Sequence, residues 1–320
     1  MAIITGRGNV ERIMERMRDK TVSLAIFCTA SHWNTEAILL AAKRFSSKHG
    51  VSDIPIAVAM TYNYDYCPQA QRITYSRDAK TGFLSIMSHL YELCNRKDSP
   101  YNDVCVLPHL DHADFTRDHW ALTEGLDYLA TVMFDAQKYP YQENVEMTRN
   151  YVNAYRDRVL IEGIMDEISV KGFKTAVQKD DYADRASKYV RDTAIDFLVA
   201  DLGTEQQSSA VGDAKYLSDR ARAITRSLGK PRLVLHGTSC LSEDQFATIP
   251  QDGVIRVNMW TRIAREAGLY AAQCLENRMN QIRENQFEAI ESRQYIYDCT
   301  EKAAEIMEDT LLKLGYGRLA

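Results

Sequence analysis

Eight short apolar runs, separated by segments of helical period, predict an α/β fold closed as a (β/α)8 TIM barrel with additional C-terminal helices. Two further observations support that class. Each run is nearly continuously apolar and rich in Val, Ile and Leu, as strands of a parallel sheet buried on both faces must be. No G-x-G-x-x-G follows any run, so the dinucleotide fingerprint that would favour an open doubly wound sheet is missing.

Taken in order, the strands are expected at Val22–Cys28, Ile54–Met60, Val104–His109, Leu129–Phe134, Arg158–Glu162, Asp196–Asp201, Arg232–His236 and Val254–Asn258. Amphipathic spacing predicts helices at Asn34–Ser46, Gly82–Asn95, Arg117–Tyr128, Gln142–Ala154, Asp184–Arg191 and Lys215–Leu228, then a long charged helical tail from Glu266 to Leu314. Length alone would allow two domains, but single barrels run past about 250 residues. No internal repeat, low-complexity tract or proline-rich linker interrupts the chain, so residues 1–320 are expected to form one barrel domain.

Composition removes several classes of function. Apolar residues make up 45% and charged residues 26%, enough for a core of normal size and incompatible with global disorder. A net charge of −5 argues against a nucleic-acid partner, which needs a basic face. No stretch approaches the roughly 18 apolar residues of a membrane helix, and the first residues lack the apolar core of a signal peptide. The seven cysteines are odd in number, scattered and never in a C-x-x-C pair, which predicts reduced, packed thiols and a cytoplasmic setting.

The ends of the strands carry the chemistry. Barrel active sites sit at the carboxyl ends of the strands. Here the third strand ends in His109-Leu110-Asp111-His112, the fourth in Asp135-Ala136-Gln137 and the fifth in Glu162. The sixth leads into Gly203-Thr204-Glu205-Gln206, the seventh into His236-Gly237-Thr238-Ser239 and the eighth into Asn258-Met259-Trp260-Thr261. Polar or titratable groups thus crown six successive strands, which predicts an enzyme site on that rim. His112 and His236 with a further N or O ligand would make a catalytic metal site with an open position. A Schiff-base barrel needs a lysine ending an inner strand, and none ends that way. Glycines and hydroxyls after the last two strands suit a phosphate. The run Tyr62-Asn63-Tyr64-Asp65-Tyr66 reads equally as pocket lining or loop packing.

These motifs resemble the class II (metal-dependent) fructose-bisphosphate aldolase family. HLDHADF is similar to the family's HLDHG segment, VMFDAQKYPYQENVEMTRNYV to its VMxDGSxLPxEENIxxT stretch, LVLHGTS to VLHGGSG, VIRVNMWT to VxKINxDT, and SHWNTEAILLAA to its Asn-x-Glu helix opening. The resemblance implies Asp111 as the proton-exchanging acid, His112 and His236 as metal ligands, and Asn258 as the contact to the enediolate. It places Gly203, Gly237, Ser239 and Thr261 around the phosphate. Asn34 and Thr61 join the substrate-binding positions, and Glu162 joins Asp111 and Asn258 as catalytic.

Departures from the pattern are specific. Gln206 stands where the third metal histidine belongs, with Glu205 as a substitute ligand. An amide oxygen is a weaker zinc ligand than imidazole, so the affinity or choice of ion should change. Ile164 replaces a metal-associated glutamate, Trp260 a small acid, Thr238 and Cys240 two glycines, and the span from Ser169 to Asp181 replaces a Gly-Gly-x-Glu-Asp loop. Trp260 then reads as a new wall of the acceptor pocket.

The expectation is an aldolase-like carbon–carbon lyase or synthase using a divalent metal, zinc first, on a ketose phosphate or related hydroxy-ketone altered from fructose bisphosphate. Its partners are expected to be a small-molecule substrate and other copies of itself, as a homodimer or homotetramer, with no nucleic acid and no membrane. Two alternatives stay open: a metal-independent acid–base enzyme using Asp111, His112, Glu162 and His236, and a non-catalytic subunit assembled through its C-terminal helices. Retention of Asp111, His112, His236 and Asn258 favours chemistry.

Overall fold

The computed structural model describes residues 2–166, 181–204, 216–286 and 292–320. Strands β1 (Leu24–Cys28), β2 (Ile54–Thr61), β3 (Val104–Ala113), β4 (Thr131–Phe134), β5 (Leu160–Ile164), β6 (Phe197–Val199), β7 (Leu233–Leu235) and β8 (Val254–Met259) lie in sequence order. They pair in parallel, and β8 closes onto β1 through Leu24↔Arg256 and Phe27↔Met259. The closed (β/α)8 barrel predicted from the apolar runs is the fold observed. Nearly every strand position is buried, because side chains on one face fill the barrel and those on the other meet the surrounding helices.

The outer layer comprises α1 (Arg7–Asp19), α2 (His32–His49), α3 (Gln69–Ile73), α4 (Ala79–Cys94), α5 (His119–Leu122), α6 (Tyr141–Tyr155), α7 (Tyr182–Thr193), α8 (Ser218–Leu228) and α9 (Glu243–Thr248). The chain then continues through α10 (Thr261–Asn277), α11 (Met279–Arg283) and α12 (Ser292–Lys313) to a 3-10 turn at Tyr316–Leu319. Among the described residues none forms a helix long and apolar enough to cross a membrane.

Several elements differ from the expectation, including the short helices α3 and α9, which the helical spacing did not mark. Helix α1 was not anticipated; it buries Val10, Met14 and Met17 against the amino end of the barrel. The helix expected over Arg117–Tyr128 is divided into α5 and a 3-10 turn at Glu124–Tyr128. Thr123 leaves helical geometry (φ −126°, ψ −80°), and Gly125, beyond Glu124, adds little helix preference. The C-terminal tail starts earlier, at Thr261, and turns back after Arg278, whose guanidinium pairs with Asp298 at 2.6 and 3.2 Å. That pair folds α12 against α10 and α2.

Two details carry directly to the site. A Cβ on Gly82 would stand 1.9 Å from the Ala70 carbonyl oxygen, so glycine lets α4 press against α3. The β3–β4 register shifts between Leu110 and Ala113, and within that bulge His112 adopts φ +46°.

Candidate active site

The bulge decides where β3 aims its polar end. Side chains alternate along a regular strand, so Asp111 and His112 should face opposite ways. The extra residue and left-handed backbone at His112 cancel one step of the alternation, and both side chains line one cleft. This cleft occupies about 480 Å³, counted with its open mouth, at the carboxyl ends of the strands. Strand ends supply Cys28, Thr61, Asp111, His112, His236 and Asn258; the turns after β7 and β8 add Gly237, Thr238, Ser239, Trp260 and Thr261.

His112 is fixed from two sides. Its Nδ1 is 2.7 Å from Asp135 Oδ2, and Tyr64 stacks on its ring at 4.4 Å and 11°. The His236 ring meets it edge-on at 5.0 Å. Burial opposes protonation of His112, but the carboxylates of Asp111 and Asp135 outweigh it and raise the imidazole above its usual value. His236 goes the other way: burial pushes it down to about 4, leaving a neutral ring whose buried Nε2 has no hydrogen-bond partner. For Asp111 burial favours the neutral acid, yet the surrounding imidazoles of His112, His236 and His109 hold the carboxyl below the usual range. Its Oδ1 is buried and unpartnered, while Oδ2 faces the Cys28 thiol at 3.7 Å.

Ligand atoms of Asp111, His112 and His236 lie within 4.8 Å of one another. Two imidazoles, one carboxylate, an orphaned ring nitrogen and a second carboxylate orienting the first ring fit a divalent cation.

The neighbours are held by their own bonds. Cys28 donates its thiol to Asn258 Oδ1 at 3.1 Å, which leaves Asn258 Nδ2 buried with no partner. Thr238 Oγ1 donates to the Asn258 carbonyl at 3.0 Å, and Thr204 Oγ1 to the His236 carbonyl at 2.6 Å. Gly237, at φ +71°, makes the turn that brings Thr238 and Ser239 over the cleft. Thr61 donates its hydroxyl to the Cys67 carbonyl and is bracketed by Gln69, whose N donates to Thr61 Oγ1 and whose Oε1 accepts from Thr61 N, both at 2.9 Å.

The remaining predicted residues sit elsewhere. Glu162 lies inside the barrel against Arg256, with Oε1 2.5 Å from Nε, and is not among the lining residues of the cleft. Burial pushes its carboxyl up to about 7, with Arg256 opposing. Asn34 turns into the start of α2, where Oδ1 accepts from Ser31 Oγ at 2.9 Å. Gly203, at φ +80°, donates its N–H to Asp201 Oδ1 at 2.9 Å and likewise is not a lining residue. Gln206 and its substitute Glu205 lie outside the described residues, as does the span replacing the family's loop up to Asp180.

Sequence reasoning missed Cys28, Cys67 and Gln69 as lining residues. Cys28 ends β1, so strand position was the available signal for it. Of the tyrosine run, Tyr64 lines the cleft, Tyr62 packs on Phe83 and Trp120, and Tyr66 is exposed.

Fold and cleft together define a (β/α)8 barrel with a His–His–carboxylate cluster at the carboxyl rim. The family model for "Fructose-bisphosphate aldolase class-II" matches residues 8–316, and the chain belongs to that family. It is 30% identical over 166 residues to the fructose-bisphosphate aldolase of Giardia intestinalis, covering 50% of each chain. It is 32% identical over 163 residues to the 6-phospho-5-dehydro-2-deoxy-D-gluconate aldolase of Shouchella clausii, covering 49% of this chain and 53% of that one. The chain thus spans about half the length of the curated relatives it matches. Among solved structures, the fructose-bisphosphate aldolase of Campylobacter jejuni superposes with a TM-score of 0.75 at 14% identity, over 98% of this chain and 95% of that one. The YdjI aldolase of Escherichia coli K12 gives 0.63 at 17%, over 94% of both. These two likenesses speak to the fold.

Proposed function

We propose that the chain is an aldolase-like carbon–carbon lyase or synthase, joining or splitting a ketose phosphate or related hydroxy-ketone and an aldehyde, with a substrate altered from fructose bisphosphate. One observation carries the reading: Asp111, His112 and His236 converge within 4.8 Å in the same cleft as the unpartnered amide of Asn258. His112 and His236 would hold a divalent cation, zinc first, with Gln206 or Glu205 assigned to the third position. Bound there, the cation would polarise the donor carbonyl and offset the charge of the deprotonated donor.

The chain's own groups do the rest. Asp111, held ionised, takes the hydroxyl proton as the carbon–carbon bond breaks and the aldehyde leaves; in synthesis it returns that proton to the new alkoxide. Asn258 Nδ2 donates to the oxygen of the donor that gains negative charge. Gly237, Ser239 and Thr261 cradle the phosphate, and Trp260 walls the acceptor side, favouring a less polar aldehyde than a sugar phosphate. Glu162 acts from beneath, through the field it sets up with Arg256. Residues 1–320 form one cytoplasmic barrel domain in this reading, assembled as a homodimer or homotetramer.

Elemental analysis of the purified protein, before and after incubation with zinc, cobalt and manganese, tests the metal. About one ion per chain, lost in His236→Ala, is expected. No ion under any condition would leave a metal-independent acid–base enzyme or a non-catalytic subunit. Asp111→Ala should abolish aldol cleavage with the fold intact; unaltered turnover would reject the assignment.

A further inference from the structure

The opposite end of the barrel holds a second hollow that the cleft's chemistry does not use. It lies between α1, the turn before β5, the end of α7 and the turn before β7, and measures about 1020 Å³ with its mouth. Six basic and three acidic side chains line it, in a chain of net charge −5. The acids are unevenly engaged. Arg7 takes both oxygens of Asp196, at 3.1 and 2.5 Å, and Glu11 at 2.8 Å, while Glu15 stands exposed at the rim.

Of the six only Arg7 makes an ion pair among the described residues, and of the other five Arg18 and Lys230 both lie near enough to Arg232 to feel its charge. Arg18 Nε donates to the Pro231 carbonyl at 3.1 Å, and its guanidinium lies 5.8 Å from the centre of the Phe197 ring. Arg232 Nη1 donates to the Ile195 carbonyl at 3.1 Å, and its Nε is buried with no acceptor. Burial makes all three cations easier to deprotonate than in water; the charge of Arg232 adds to this at Arg18 and Lys230, and Asp196 opposes it at all three. Asp196 and Glu15 offset part of this charge from a distance, but Asp196 is already held by Arg7, so an anion seated among the three cations would relieve their repulsion.

We infer that this hollow binds a phosphoryl dianion, either free phosphate or the phosphate of a small monoester, held by Arg18, Lys230 and Arg232. Guanidinium groups match phosphate oxygens in a fork, and the ammonium adds a point charge. The hollow is larger than bare phosphate requires, which leaves room for an organic substituent. It opens at the amino ends of the strands, whereas the cleft opens at their carboxyl ends, so an anion here leaves the cleft accessible.

Calorimetric titration with inorganic phosphate tests the site. Ser239→Asp provides the background, because its added carboxylate keeps phosphate out of the cleft. In that background one phosphate per chain is expected to bind, and Lys230→Gln/Arg232→Gln should weaken it by about tenfold or more. Absence of binding, or equal affinity in the two proteins, would overturn the site. If the double variant fails to fold, the exposed Lys230→Gln alone decides the matter by thermal melting. Phosphate should raise the melting temperature of the Ser239→Asp parent more than that of the Lys230→Gln derivative, and an identical rise would refute the proposal. Titration with ribose 5-phosphate separates the sources: tighter binding than inorganic phosphate identifies a monoester, weaker binding free phosphate, and both outcomes support the site.

Discussion

Glu162 Oε1 lies 2.5 Å from Arg256 Nε inside the barrel, and neither side chain reaches solvent. The pair sits beneath the titratable cluster, with His109 Nε2 3.8 Å from Glu162 Oε2 and Arg256 Nη2 donating to Thr131 Oγ1 at 3.0 Å. It forms a charged floor in a core that is otherwise mostly apolar.

Removing one partner of that floor should cost far more than removing both. Arg256→Met strands a buried carboxylate and is expected to destabilise the fold by about 3–5 kcal/mol, whereas the double variant Glu162→Gln/Arg256→Met should recover much of the loss. Guanidinium unfolding of the four proteins gives the coupling directly, and strictly additive effects would contradict an energetic pair.

Asp135 holds the Nδ1 side of His112 and is itself anchored by Gln137, whose N donates to Oδ1 at 3.1 Å and whose Nε2 donates to Oδ2 at 3.0 Å. Asp135→Asn should therefore weaken zinc binding by about 10–100-fold while leaving the barrel folded. Competition against a chelator measures the constant, and an unchanged affinity would show that the ring needs no such orientation.

Tyr316 ties the C-terminal turn to the barrel. Its hydroxyl donates to the Pro55 carbonyl at 2.8 Å and accepts from Ala25 N at 3.0 Å, all buried. Tyr316→Phe leaves both backbone groups unsatisfied without altering shape much, so a loss of about 1–3 kcal/mol is expected. A shift in denaturant midpoint at constant slope is the signature.

The contact between α12 and α2 has a pH signature. Arg44 grips Glu301 through both nitrogens, at 2.6 and 2.8 Å, and those hydrogen bonds lower the Glu301 carboxyl below its ordinary 4.5. A carboxyl depressed in the folded state stabilises above its unfolded value, and the contribution fades as pH falls through the folded value. Both partners face solvent, so the effect should stay below about 1 kcal/mol. Glu301→Gln is thus expected to lower stability near neutrality and to match the parent in acid; a constant gap across that range would exclude the linkage.

The barrel was legible because a strand buried on both faces leaves an apolar run, as in Leu24-Ala25-Ile26-Phe27 or Val104-Cys105-Val106-Leu107. Helix α1 was legible too, since Val10, Met14 and Met17 follow helical spacing, but it precedes the first strand and so fell outside the alternation used to find the others. His112 illustrates what a sequence conceals. Nothing in the string HLDHADF marks a left-handed residue, and strand alternation would separate Asp111 from His112. The family resemblance located both residues in the site; the bulge supplies the physical reason. Arg256 interrupts an apolar run, and its partner Glu162 is three strands away, so only barrel closure reveals that the arginine is neutralised inside.

The bulge in β3 also sets how the site would respond to heat. Asp111 and His112 are neighbours along one strand, so the spacing of their side chains depends on local backbone geometry and on two rotamers fixed by packing. His236 arrives from β7, on the far side of the barrel, and its distance to the others depends on how tightly the whole cylinder is wound. Loosening of that winding would keep Asp111 beside His112 while His236 drifts away, so the two imidazoles that would hold a cation would part before the barrel itself comes apart.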